Sequence, residues 1–332
     1  MIIPISGEPE TWRSALHNAI RSNRELLDFV GLKQSTDLPV PNFPVLVPRG
    51  FASRIQRGNI NDPLLQQVLA VPAEFDEVAG FAKDPLAETN TISGVSPAPG
   101  IIHKYHGRAL LITTGACAVN CRYCFRRHFP YQEHRGHKHQ QALAIVRADP
   151  TITEIVLSGG DPLLLGDRAL TSLINELEAI PHLRRLRIHS RIPVVLPERI
   201  TPDLIRLLTE SRLKTVIVIH CNHANELDHS TASAFTLIKQ TAIVLLNQSV
   251  LSHGVNDSVD VQVALAEKLF DQGVLPYYLH MPDRVAGTAH FFVKDDRAKL
   301  LYQGMQARLP GYLVPRLVRE IPGESAKRNI TI

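Results

Sequence analysis

Residues 108–129 read RALLITTGACAVNCRYCFRRHF: a short apolar, β-branched run that empties into a loop carrying Cys117, Cys121 and Cys124. The run has the composition of a strand. The loop packs three of the chain's four cysteines into eight positions, with Arg126, Arg127 and His128 directly after them. Working outward, the same kind of run recurs as EIVLSGG, RLRIHS, TVIVIH, AIVLLNQSV and LPYYLHM, beginning near residues 154, 185, 215, 242 and 275. The gaps are about one βα unit each. Helical patterns such as RALTSLINELEAI, TPDLIRLLTE and VQVALAEKLFDQG fill the intervals, and alternating strands and helices make a parallel sheet. All six runs end in polar or glycine residues: the cysteine loop, SGGDPL, HSR, HCNHANE, NQS and HMPDR. A barrel gathers such ends around one mouth, whereas a doubly wound sheet concentrates ligand residues at one switch point. The expected fold is α/β, a partial (β/α)6 barrel.

The first hundred residues have another character. ETWRSALHNAIRSNRELLDFVGL places apolar residues at helical spacing, and NDPLLQQVLAV reads as a short helix capped by Asn61 or Asp62. The proline-rich stretches LPVPNFPVLVPRG and SGVSPAPG set these helices apart from the strand–helix series. The expected organisation is a helical N-terminal region over 1–100, a core over 101–295 and a C-terminal segment over 296–332.

With 332 residues, 44% hydrophobic and 20% charged, the chain has the balance of a soluble globular protein. Lys+Arg 36 against Asp+Glu 32 leaves +4, too mild to argue for nucleic acid. The start, MIIPISGEPETWRSALHNAI, lacks a secretory pattern, and no apolar run approaches a membrane span. Four cysteines are too few for a disulfide scaffold, so the trio points to a reducing compartment and a metal. The expected location is the cytoplasm.

Soft thiolates select zinc, copper(I) or iron–sulfur clusters. Zinc closes a tetrahedron with four ligands, and His128, His134, His137 or His139 is near enough in sequence to supply the fourth. A [4Fe–4S] cluster on three cysteines instead leaves one iron open. The spacing Cys-x-x-x-Cys-x-x-Cys after the first strand of a βα series is the signature of radical S-adenosylmethionine enzymes. CAVNCRYCFRRHFPY, SGGDPL, LRIHSRIPVVLPERIT, NHANE, LLNQSVL and PYYLH…AGTAHF, in this order, resemble the lysine 2,3-aminomutase family. The resemblance covers most of the chain. It is nearest to the bacterial branch making (R)-β-lysine for the modification of elongation factor P.

That resemblance implies a radical SAM-type core and three groups of site residues. Cys117, Cys121 and Cys124 would hold the [4Fe–4S] cluster, with Ser158, Gly159, Gly160 and Asp161 cradling S-adenosyl-L-methionine. Read without the resemblance, SGGDPL is equally a tight strand-to-helix turn with Asp161 as its cap. Lys327, in IPGESAK, stands where the family's glycine-rich segment carries the lysine for pyridoxal 5'-phosphate. Three of the family's glycines are replaced there, so a degenerate or different radical enzyme without that cofactor is the alternative. Lys104, Arg108, Asn247 and Gln248 are candidate cofactor or phosphate contacts, or else surface cations and strand caps. Arg126 matches the arginine that pairs the carboxylate of L-lysine, and Asp283 and Glu320 the two acids that hold its distal ammonium. His220, His223 and Asn225 can line the adenosyl pocket, and Cys221 reads as a small buried residue. The activity implied is a radical 1,2-amino shift converting L-lysine to (R)-β-lysine. An electron donor such as flavodoxin would serve it, and a ligase acting on elongation factor P would take the product.

Overall fold

The computed structural model describes residues 11–33, 41–89, 98–134 and 138–331. Its centre is one sheet of nine strands in sequential order: β1 (Ile101–Tyr105), β2 (Arg108–Thr114), β3 (Glu154–Gly159), β4 (Arg185–Ser190), β5 (Lys214–His220), β6 (Val244–Val250), β7 (Leu275–His280), β8 (Arg316–Arg319) and β9 (Arg328–Asn329). Strands β2 through β8 are parallel, and β1 and β9 pair antiparallel at the two edges. The sheet is open between those edges, a partial barrel. The six expected runs start within two residues of β2 to β7.

Parallel strands need crossovers, and helices supply them. The helix Asp167–Glu178 buries Leu170, Leu173, Ile174 and Leu177, one face at a 3.6-residue repeat. Thr201 caps the helix Pro202–Thr209 by accepting from Leu204 N at 3.2 Å, with Pro202 in the first turn, where its missing N–H costs nothing.

The expected six-strand core is extended at both ends. β1 joins β2 through a two-residue turn in which Gly107 has φ +77°, so HKYHGRALL forms a hairpin. β8 is a seventh parallel strand, reached through the helix Asp295–Arg308. The sheet therefore continues beyond residue 295. Only four residues long, between Pro315 and Pro322, β8 carries too little periodicity to stand out in the sequence.

The N-terminal pattern is broken into helices Trp12–His17 and Asn23–Phe29, the second capped by Ser22. Asp62, rather than Asn61, caps Pro63–Gln66, accepting from Leu64 N at 2.8 Å and Leu65 N at 3.1 Å. Of the proline-rich stretches, 38–40 and 93–97 lie outside the described residues. One hydrophobic core runs from Leu26, Phe51 and Leu64 into Leu143, Ile188 and Leu204 of the barrel. Arg54 adds polar ties, donating to Val194 O and Glu226 O at 2.7 Å each and to Asp228 at 2.8 Å. No helix of the described residues is long and apolar enough to cross a membrane.

Candidate active site

The C-terminal ends of the parallel strands surround a cavity of about 770 Å³. Cys117, Cys121 and Cys124 line it, as do Ser158 to Asp161 after β3, Arg126, Lys104, Arg108, Gln248, Asp283, Glu320 and Lys327. Of the expected residues, His220 lines it as well, whereas Asn247, His223 and Asn225 do not. Alternate residues of a strand face opposite sides, and on β6 Leu246, Gln248 and Val250 take the cavity side. The Asn247 amide is spent on Cys221, accepting from its N at 2.9 Å and donating to its O at 3.1 Å.

The cysteine loop is pinned from the N-terminal region. Arg122 N donates to Gln67 O at 2.9 Å and Asn120 N to Leu46 O at 3.0 Å. The fully buried Arg122 guanidinium pairs with Glu74 and donates to Phe43 O at 2.8 Å. On the other side the loop rests on the glycines after β3. Gly160 N donates to Thr114 O at 2.6 Å and Asp161 N to Ala116 O at 2.8 Å. A Cβ on Gly160 would lie 2.1 Å from Ala116 O, and one on Gly159, at φ +117°, 2.7 Å from Thr114 O. Glycine is required here by this close approach and leaves bare backbone facing the cavity.

Burial pushes the Cys117 thiol well up and Cys124 up to about 11, with the neighbouring cysteines adding to the shift. Among the described residues no three ligating side chains stand in metal-holding positions, but soft thiols on one short loop are the donor type a metal cluster takes, and a bound cation would favour their thiolate forms. Of the histidines weighed as zinc ligands, two face backbone carbonyls, and the His134 side chain lies outside what the structure describes. His128 Nε2 lies 3.0 Å from Ala286 O, His139 Nε2 lies 2.9 Å from Ile112 O, and His137 is outside the described residues. Cys221 is fully buried, with its sulfur 3.4 Å from His223 O.

A chain of alternating charges crosses the cavity. Arg126 donates from Nε and NH2 to the Glu88 carboxylate at 2.7 and 3.0 Å, and from NH1 to Ser158 Oγ at 3.2 Å. Lys104 Nζ bridges Glu88 at 2.9 Å and Glu320 at 2.6 Å, and Lys327 Nζ closes on Glu320 at 2.5 Å. Burial alone would raise both acids, but the flanking cations outweigh it and hold Glu88 and Glu320 below the usual carboxylate range. Asp283 behaves oppositely: burial, then the charge of Glu320, pushes it up to about 7. Lys327 sits in the loop of a hairpin, since β9 follows it at once and pairs Arg328 with Arg319 of β8. The replaced glycines of IPGESAK leave the lysine inside the cavity.

Asp161 is the cap its local sequence suggests, and more. Its carboxylate accepts from Leu163 N, Ser190 Oγ, Arg191 N and Ile192 N, fastening the turn after β3 to that after β4. Three lining residues have no role read from the sequence, although two of them lie in LRIHSRIPVVLPERIT. Glu88 is one. Arg191, whose NH1 reaches the Cys121 sulfur and whose NH2 reaches Gln67 and Glu226, is another, and HSR ending a strand was its local signal. His189 is held neutral by burial, then by Arg187, and its Nε2 has no partner among the described residues.

A parallel sheet with three thiols in the loop after its first parallel strand defines a radical S-adenosylmethionine protein, and residues 111–233 match the family model "Radical SAM superfamily". The chain is 46% identical over 330 residues to the L-lysine 2,3-aminomutase of Escherichia coli (strain K12), covering 97% of this chain and 95% of that one. It is 46% identical to that of Haemophilus influenzae, over 98% and 96% of the two chains, and 34% identical to that of Clostridium subterminale, over 96% and 77%. The chain belongs to the L-lysine 2,3-aminomutase family.

Proposed function

We propose that the protein is an L-lysine 2,3-aminomutase, an isomerase that converts L-lysine to (R)-β-lysine. The observation that carries this is one cavity lined by three thiols, Lys327 and a row of paired cations and acids that includes Arg126, Asp283 and Glu320. The thiols of Cys117, Cys121 and Cys124 suit the cluster. Gly159 and Gly160 line the cavity without side chains, which suits the methionine part of S-adenosyl-L-methionine. Lys327 suits the aldehyde of pyridoxal 5'-phosphate, and Arg108, Lys104 and Gln248 suit its phosphate and ring. When bound, these groups supply a radical that removes and returns hydrogen and a ring that delocalises the unpaired electron.

The chain's own part is placement and exclusion of water. Arg126 offers a planar guanidinium to the lysine carboxylate. Asp283 and Glu320 receive the distal ammonium, so the substrate lies stretched between the two ends. The Glu320 carboxylate beside Lys327 holds its amine at the cavity wall, where an aldehyde would meet it. An external one-electron donor and a ligase that passes the product to elongation factor P complete this reading.

The test is anaerobic reconstitution with iron, sulfide and pyridoxal 5'-phosphate, borohydride reduction and peptide mapping, alongside assay of L-lysine for β-lysine. The expected result is about four irons per chain, a reduced adduct on Lys327 and β-lysine formed. Lys327→Ala abolishes adduct and product while retaining iron. A cluster with no adduct would leave a radical enzyme that does without the second cofactor.

A further inference from the structure

Glu88 precedes the residues matched by the superfamily model, yet its carboxylate is the link between Arg126 and the rest of the cavity's charge chain. It is 4% exposed. It grips Arg126 by one edge, through Nε and NH2, while Ser158 Oγ takes one N–H of NH1. A guanidinium carries five N–H groups in a fixed plane. Among the described residues two are left over, one on each terminal nitrogen. The same Glu88 carboxylate holds Lys104, and Lys104 holds Glu320. Glu88 is thus the only described residue in contact with both Arg126 and Lys104 by ion pair.

We infer that Glu88 is a positioning residue that fixes the separation between the two ends of the site and so selects its substrate by chain length, L-lysine over the one-methylene-shorter L-ornithine. The inference rests on the cavity being the lysine site. Losing the Glu88 charge acts at both ends. Arg126 loses the clamp that presents its remaining N–H pair to a carboxylate. Lys104, left with one acid, is given over to Glu320, the carboxylate that the substrate ammonium needs. Both changes weaken lysine, and a site whose ends are no longer tied discriminates length less.

Calorimetric binding of L-lysine and L-ornithine to the reconstituted holoenzyme tests this, for the unaltered protein, Glu88→Gln and Glu88→Asp, with iron per chain measured in parallel. Glu88→Gln is expected to weaken lysine by about tenfold or more and to narrow its margin over ornithine. Glu88→Asp keeps the charge and is expected to recover most of the lost affinity. Lysine bound as tightly by Glu88→Gln as by the unaltered protein overturns the assignment. An equal loss for both amino acids, or no recovery in Glu88→Asp, does the same. Iron lost together with affinity would make Glu88 a support of the fold only. An unaltered protein that loads its cofactors and binds no lysine would overturn instead the reading of the cavity.

Discussion

Asp283 and Glu320 are two carboxyls in one cavity with opposite protonation behaviour, and the difference is a matter of partners. Glu320 has Lys104 and Lys327 at hydrogen-bond distance, whereas Asp283 has burial and the charge of Glu320 against it. Unfolded, an aspartate ionises near 3.9; folded, Asp283 does so near 7. Between those values the folded chain holds a proton that the unfolded chain has lost, so this group lowers stability as pH rises from about 4 to about 7. Asp283→Asn removes that slope. Thermal unfolding of the unliganded protein should find the variant close to the parent near pH 4 and ahead by on the order of 4 kcal/mol at pH 7.5, about 1.4 kcal/mol for each pH unit crossed. An advantage that does not grow with pH would count against the assignment. The cysteines stood out by residue type and spacing, whereas Arg126 and Lys327 were singled out only through the family resemblance; all of them line one cavity. Glu88 was not legible, because DPLAETN obeys no local pattern and its partners, Arg126 and Lys104, lie 38 and 16 residues away.

At the scale of elements, strands β2 to β7 announced themselves by β-branched runs separated by helical repeats, since both periodicities are local. β1, β8 and β9 did not, because a hairpin partner and a two-residue strand are fixed by pairing across the sheet. The turn after β3 shows what such pairing demands. It lies so close to the cysteine loop that Gly160→Ala would drive a methyl into the Ala116 carbonyl. The two loops must then part. The variant is expected to lose about 3 kcal/mol of stability and most of its iron after reconstitution. Unfolding curves and iron assay check both, and full iron at parental stability would show that the loops can shift without cost. The same hairpin logic places Lys327: whatever its flanking residues, it follows Glu320 through one loop and returns to the sheet at Arg328.

For the molecule as a whole, the N-terminal region behaves as part of the core rather than as an appendage. Its apolar residues share one cluster with the barrel, and Gln67 and Glu74 hold the cysteine loop through Arg122. Denaturant unfolding followed by fluorescence and by circular dichroism should therefore give one coincident transition. Two separated transitions would mean that residues 11–89 fold apart from the sheet. The charge chain adds an order in time, because ribosomes release a protein from its N-terminus at roughly 5–20 residues per second. Glu74 and Glu88 emerge ahead of the arginines they steady, so the cysteine loop meets its anchors at once. Glu320 and Lys327 follow Glu88 by more than two hundred residues, on the order of 10–50 s later. On the role proposed for Lys327, a nascent chain can thus arrange its thiols well before it owns an amine for an aldehyde, and capture of that cofactor waits until synthesis has reached the hairpin of β8 and β9.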